Sequence, residues 1–284
     1  MRPQKAQIHL KFERTLIMGA LNVTPDSFSD GGKFFSKKDA IARAIQMARD
    51  GADIIDIGGE STRPGASDVD VAEEARRVVP VIEGIRRKLD IPLSVDTKKS
   101  RVAVEALRAG ADIINDVSGL KNDDAMADVV ASHSAALIVM HMKGTPQDMQ
   151  AAPRYRNLIN EIIGGLRESL AIARRAGIAK NKIIIDPGIG FGKTVGHNLE
   201  ILNRLKEFKV LKCPICVGTS RKSFIGKVLD IADPAERLTG TIASCVIAIM
   251  NGANIIRVHD IKEARAAALT ADSVMNTGAH LTSG

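Results

Sequence analysis

Residues 51–61 read GADIIDIGGES, residues 110–120 read GADIINDVSGL and residues 252–263 read GANIIRVHDIKE. Each opens on a glycine, which can stop a helix in the left-handed region without a Cβ penalty. Each then runs through a short β-branched stretch into polar residues. Helical spacing precedes all three, over residues 37–50, 98–109 and 235–251. The chain therefore repeats one unit: helix, glycine stop, buried strand, polar end.

Five further stretches share this grammar: Leu16–Asn22, Pro92–Asp96, Ala136–His141, Lys182–Asp186 and Pro214–Gly218. With the repeats they make eight strands alternating with helices, and their near-continuous apolar character suits parallel strands covered on both faces. Eight such units in about 250 residues predict an α/β fold, a closed (β/α)8 barrel with its active site at the C-terminal ends of the strands. A single domain over residues 1–284 is expected. An open doubly wound sheet is the alternative, but no G-x-G-x-x-G turn follows the first strand. IHLKF, residues 8–12, reads as a short extra N-terminal strand covering the barrel's base.

Composition narrows the function. Apolar residues make up 45% of the 284 and charged residues 26%, ordinary for a protein with a sizeable core. No apolar run is long enough to span a bilayer, and the first residues lack the apolar centre of a secretory signal, so a cytoplasmic protein without a membrane partner is expected. The net charge of +7 is scattered, aromatics are 3% and Trp is absent, which argues against a base-stacking nucleic-acid surface. CPIC, residues 213–216, has redox spacing but enters a strand instead of opening a helix, so core packing is its better reading.

The strand ends carry the chemistry. In order they offer Asn22, Asp56, Asp96, Asn115 with Asp116, His141, Asp186, Gly218 before TSRKS, and Arg257 with His259. So many converging polar groups at a barrel mouth need partners, and a ligand supplies them. In DPGIGFGKT, residues 186–194, the glycines let backbone N–H groups approach a ligand closely. Asp186 can accept paired hydrogen bonds from a guanidine-like edge such as a 2-amino-pyrimidinone, or cap its own turn. In VGTSRKSFIG, residues 217–226, Lys222 and Ser223 stand where a helix start favours an anion, and Arg221 suits a salt bridge. Arg257 and His259 alternate along the last strand and share a face. With Asn22 they can embrace a phosphate or diphosphate, with Mg²⁺, an ion that takes oxygen ligands and bridges phosphates. No zinc-type His/Cys spacing and no G-x-S-x-G elbow is present.

Taken in order, LNVTPDSFSDGG, GGESTRPGA, SVDT, NDVSG, MHMKGTP, DPGIGFGKT, GTSRKSFIG and RVHD closely resemble the dihydropteroate synthase family over residues 16–262. The resemblance implies condensation of a dihydropterin methyl diphosphate with p-aminobenzoate, diphosphate release and use of Mg²⁺. It places Asp96, Asn115, Met140, Asp186 and Lys222 in the pterin pocket. It gives Asn22 to the metal, and Asn22, Thr62, Arg63, Arg257 and His259 to the diphosphate. Phe28, Pro64, Phe191 and Ser223 would form the p-aminobenzoate pocket. Arg63, Lys222, Arg257 and His259 are the residues it implies in catalysis, and the loops bearing Phe28 and Arg63 would close over the substrates. It also implies a monofunctional homodimer contacting through outer helices, with IASCVIAIM (242–250) in core or interface, and inhibition by p-aminobenzoate mimics. Ile189 and Val117 stand where the family often carries other apolar residues. Two alternatives remain: a catalytically silent pterin-binding paralogue, and a methyltetrahydrofolate methyltransferase-type barrel, which would not be expected to need the SRKSFIG and RVHD anion contacts.

Overall fold

The structure, a computed structural model, describes residues 10–24, 36–61, 68–144, 149 and 153–280. Strands β1 (Leu16–Asn22), β2 (Ile54–Gly58), β3 (Leu93–Asp96), β4 (Ile113–Asp116), β5 (Ala136–Met140), β6 (Ile183–Asp186), β7 (Cys216–Val217) and β8 (Ile255–Val258) form one parallel sheet. Its order is β6-β5-β4-β3-β2-β1-β8-β7. A parallel bridge between Ile185 and Ile215 joins the two edges, with Ile185 N–H donating to Pro214 O at 2.9 Å. The sheet is therefore a closed barrel, as the repeat predicts.

Helices α1 (Lys37–Arg49), α2 (Val71–Arg86), α3 (Ser100–Ala109), α4 (Met126–Ser132), α5 (Leu158–Arg175) and α6 (Val195–Asn203) each connect consecutive strands. Two helices, α7 (Ser223–Leu229) and α8 (Leu238–Met250), link β7 to β8, and α9 (Ile261–His280) follows. Side chains cap several starts: Ser36 on α1, Asp70 on α2, Asn157 on α5 and a Thr194–His197 capping box on α6. The three repeat glycines, Gly51, Gly110 and Gly252, take φ of 101°, 119° and 101°, the left-handed stop that the sequence predicts.

Side chains alternate along each strand, so every second residue points into the barrel. At the base these are Leu16, Met18, Ile54, Ile113, Ala136, Ile138, Ile184, Cys216 and Ile255, which form one apolar cluster. Two residues further along, the same inward stripes become Asp56, Asn115, Asp186 and Arg257, and β3 adds Ser94 and Asp96. Outward residues such as Ile17, Ile55, Val95, Ile114, Leu137 and Val139 pack beneath the helices. The barrel is thus dry at one end and polar at the other.

Of IHLKF, Ile8 and His9 lie outside the described residues, and the remainder departs from expectation. Residues 10–15 form no strand; Leu10 and Phe12 pack against the apolar base cluster as a loose cover. A closed barrel offers no free edge to which an added strand could bond. The three cysteines are buried and unpaired, which agrees with core packing for CPIC. No helix among the described residues is long and apolar enough to cross a membrane.

Candidate active site

At the mouth, three strands meet through one guanidinium and a fourth joins them through Asp56. Arg257 Nε donates to Asp56 Oδ2 at 2.7 Å and Arg257 Nη2 to Asp96 Oδ2 at 3.0 Å. Asn115 Nδ2 donates to the same Asp56 oxygen at 3.2 Å, which turns the amide oxygen of Asn115 the other way, as an acceptor. Asp56 is wholly buried, and its Oδ1 has no partner among the described residues; neither has Ser94 Oγ on the paired residue of β3. Buried polar atoms left so are costly unless a polar ligand completes them.

Charge here is unbalanced, with two carboxylates for one guanidinium. Burial pushes the Asp96 carboxyl up to about 8, an effect that Arg257 opposes and Asp56 reinforces. Burial alone would lower the Arg257 pKa, but Asp56 and Asp96 more than offset it and hold the guanidinium charged.

Asp186 does both things the sequence allows. Its Oδ1 accepts Gly188 N–H at 2.7 Å, closing the turn, while Oδ2 has no donor among the described residues. Burial raises its pKa, countered first by Lys222. Lys222, at the N-cap of α7, donates to Ile189 O, and its Nζ stands 4.7 Å from the centroid of Phe191. Burial lowers its pKa to about 8 against the pull of Asp186. Met140, buried at the end of β5, pairs in register with Asp186 and its side chain lies against Gly188. Gly58 separates Asn22 from Asp96: a Cβ there would lie 3.6 Å from Asn22 Oδ1 and 3.7 Å from Asp96 Cβ.

On the far side of β8, His259 N–H donates to Ser220 Oγ at 3.2 Å, and that hydroxyl lies 3.0 Å from His259 Nδ1. Arg221 pairs with Asp260 at 2.5 Å, as the sequence suggests. Ser223 is exposed at the first turn of α7. Asp116 instead faces away from the lumen, and its carboxylate holds the backbone N–H groups of Ser118 and Leu120. Phe28, Thr62, Arg63 and Pro64 lie outside the described residues.

Thus Asp96, Asn115 and Arg257 come together, Asp186, Lys222 and Phe191 form a second group, and His259 joins Ser220. Sequence reading left two residues unassigned. Asp56 sits among the strand ends, but its pairing with a residue 201 positions away leaves no local signal. Lys193 is fully buried in the glycine-rich turn, where spacing alone gives no sign of burial.

A barrel whose mouth pairs carboxylates and an amide for a polar heterocycle with cations for an anion defines a pterin-binding enzyme, and the family described as Pterin binding enzyme matches residues 18–259. The dihydropteroate synthase of Synechocystis sp. is 50% identical over 250 residues, which are 88% of this chain and 86% of that one. The solved structure of the Yersinia pestis dihydropteroate synthase with a sulfonamide drug superposes with a TM-score of 0.90 at 44% identity, covering 94% of this chain and 97% of that one. The Xanthomonas albilineans dihydropteroate synthase with 4-aminobenzoic acid gives 0.88 at 42%, covering 94% and 95%. The chain belongs to the dihydropteroate synthase family.

Proposed function

We propose that the protein joins (7,8-dihydropterin-6-yl)methyl diphosphate to p-aminobenzoate, releasing 7,8-dihydropteroate and diphosphate in folate biosynthesis. The observation that carries this reading is the inward polar layer on the barrel, where acceptors for an amino-pyrimidinone lie beside cations for a leaving anion. Asp186 Oδ2 and the Asn115 amide oxygen suit the donor-rich edge of the pterin, and Asp96 at its raised pKa can accept from or donate to a ring nitrogen. Met140 packs the ring.

Negative charge grows on the diphosphate as its C–O bond breaks, and Arg257, His259 and Lys222 are the cationic or donor groups at hand. With Thr62 and Arg63 they would hold the leaving group. The methylene carbon becomes cation-like, stabilised by the conjugated pterin, and the arylamine lone pair closes the C–N bond before losing a proton. A neutral arylamine needs no strong base, so positioning and leaving-group stabilisation supply the rate. Phe28, Pro64, Phe191 and Ser223 would form the arylamine pocket, and p-aminobenzoate mimics are expected to compete there.

Asn22, which offers an amide oxygen at the end of β1, would hold a Mg²⁺ ion together with the diphosphate. Such an ion takes few protein oxygens, keeps waters and bridges phosphates. When bound it would offset the charge of the departing diphosphate.

We infer a homodimer in the cytoplasm. Leu199 on α6, Leu229 on α7 and Ile247 and Met250 on α8 are exposed apolar side chains on adjoining outer helices, and the unpaired thiols suit a reducing compartment. The deciding experiment is diphosphate release by purified protein given the pterin diphosphate, with and without p-aminobenzoate and Mg²⁺. Release that requires both, with dihydropteroate formed, is expected. Tight pterin binding without product would overturn the reading in favour of a silent paralogue.

A further inference from the structure

We propose that Lys193 is a positioning residue for the arylamine pocket, an ammonium staple that fastens the glycine-rich turn after β6 to the end of β5 and so fixes Phe191. The inference rests on the synthase reading of that pocket. Lys193 is 2% exposed, and its Nζ contacts Phe191 O at 2.9 Å, His141 Nδ1 at 3.1 Å and His141 O at 3.2 Å. Three donors thus meet three neutral acceptors, and no carboxylate lies within bonding distance among the described residues. A buried ammonium without an anion carries a desolvation cost that a methionine of similar volume would avoid. The hydrogen bonds are what the lysine adds.

The turn it holds is tightly seated. A Cβ on Gly188 would lie 2.0 Å from His141 O, and one on Gly192 would lie 2.2 Å from Lys143 O. Tyr155 adds a second tie, donating from its hydroxyl to Gly192 O at 2.9 Å. Phe191 meets Lys222 at its ring, and Lys222 also holds Ile189 O. Without Lys193 the part-buried carbonyls of Phe191 and His141 lose this donor, and the turn is free to lift its aromatic wall.

The staple is sensitive to pH. Around Lys193 stand His141 and Lys143 beyond β5, Asp186 on β6, His197 on α6 and Lys222 ahead of α7. Burial lowers the Lys193 pKa to about 7; Asp186 opposes this, and Lys222 and Lys143 add to it. Burial also holds His141 down to about 3, so its ring stays a neutral acceptor. The third donor is present below about pH 7 and lost above it.

The test is Lys193→Met in the full-length protein, with Lys193→Gln as a second variant that retains two donors but cannot titrate. For Lys193→Met, KM for p-aminobenzoate should rise on the order of tenfold while that for the pterin diphosphate stays within about threefold. A climb of the parent's p-aminobenzoate KM that begins near pH 7 should be absent from both variants, whereas one set by Lys222 near pH 8 should persist in them. Amide exchange across residues 188–192 should quicken in Lys193→Met. Unchanged KM values and exchange in a folded variant, even one that melts earlier, would overturn the proposal, as would an equal rise in both KM values. If Lys193→Met does not fold, Lys193→Gln decides on the same readouts. A parent that forms no dihydropteroate would sink the synthase reading instead, and the exchange result would still judge the staple.

Discussion

Asp186 shows how one side chain can serve fold and ligand at once. Asp186→Asn keeps an oxygen for Gly188 N–H and removes a buried charge, so the melting temperature should hold or rise. Turnover, however, loses its anionic acceptor, and kcat/KM should fall by about 100-fold; near-normal steady-state rates would remove Asp186 from the pterin site. Arg257→Ala differs, because the guanidinium, 23% exposed, offsets two carboxylates. Removing it should abolish turnover and also cost about 3 kcal/mol at pH 8. The sign with pH follows from the raised Asp96 pKa: the native state keeps a proton that the unfolded chain has released above about pH 4, so stability falls as pH rises toward 8. Loss of Arg257 sharpens that fall. Urea melts should therefore show a deficit that is largest at pH 8 and smallest at pH 5, and an equal deficit at both would refute the pairing. Most lining groups could be found in the sequence because each ends a strand. The partners within the site could not: Asp56 and Arg257 meet only through barrel closure.

At the scale of elements, the turn over residues 187–192 carries the strongest local demand. Gly188→Ala would set a methyl against His141 O at φ +72°, and should lower p-aminobenzoate and pterin affinity together with stability. Gly177, at φ +86° with open space around it, is the matched control: there alanine should cost only about 1 kcal/mol of backbone strain. Equal losses in the two melts would mean that the close approach to His141 does not matter. Strands and helices were legible because period-2 runs and glycine stops are written locally. Their ends were less so. Lys99 adopts extended angles before α3, which delays its start to Ser100, and a 3-10 turn over Pro234–Arg237 precedes α8. Leu10 and Phe12 carry a strand's alternation but meet a barrel with no edge.

Assembly belongs to the whole molecule. Ile247 and Met250 are 47% and 57% exposed on α8. Light scattering should find the parent at twice its 30.4 kDa mass, and Ile247→Glu with Met250→Glu at the single mass with an unchanged circular dichroism spectrum. A monomeric parent would remove the dimer. The barrel itself has an uneven circumference. Neighbouring strands elsewhere share three to five residues in register, except β7 and β8 with two, whereas β6 and β7 meet at one bridge. Asp186 stands on one lip of that seam and Lys222 on the other. A pterin gripped by both would therefore act as a clasp across the thinnest part of the wall, so that occupancy of the pocket and integrity of the barrel rise and fall together. Pterin at a hundred times its Kd should stabilise the fold by about 2.7 kcal/mol of linkage and raise the melting temperature accordingly; no rise would show that the clasp is absent.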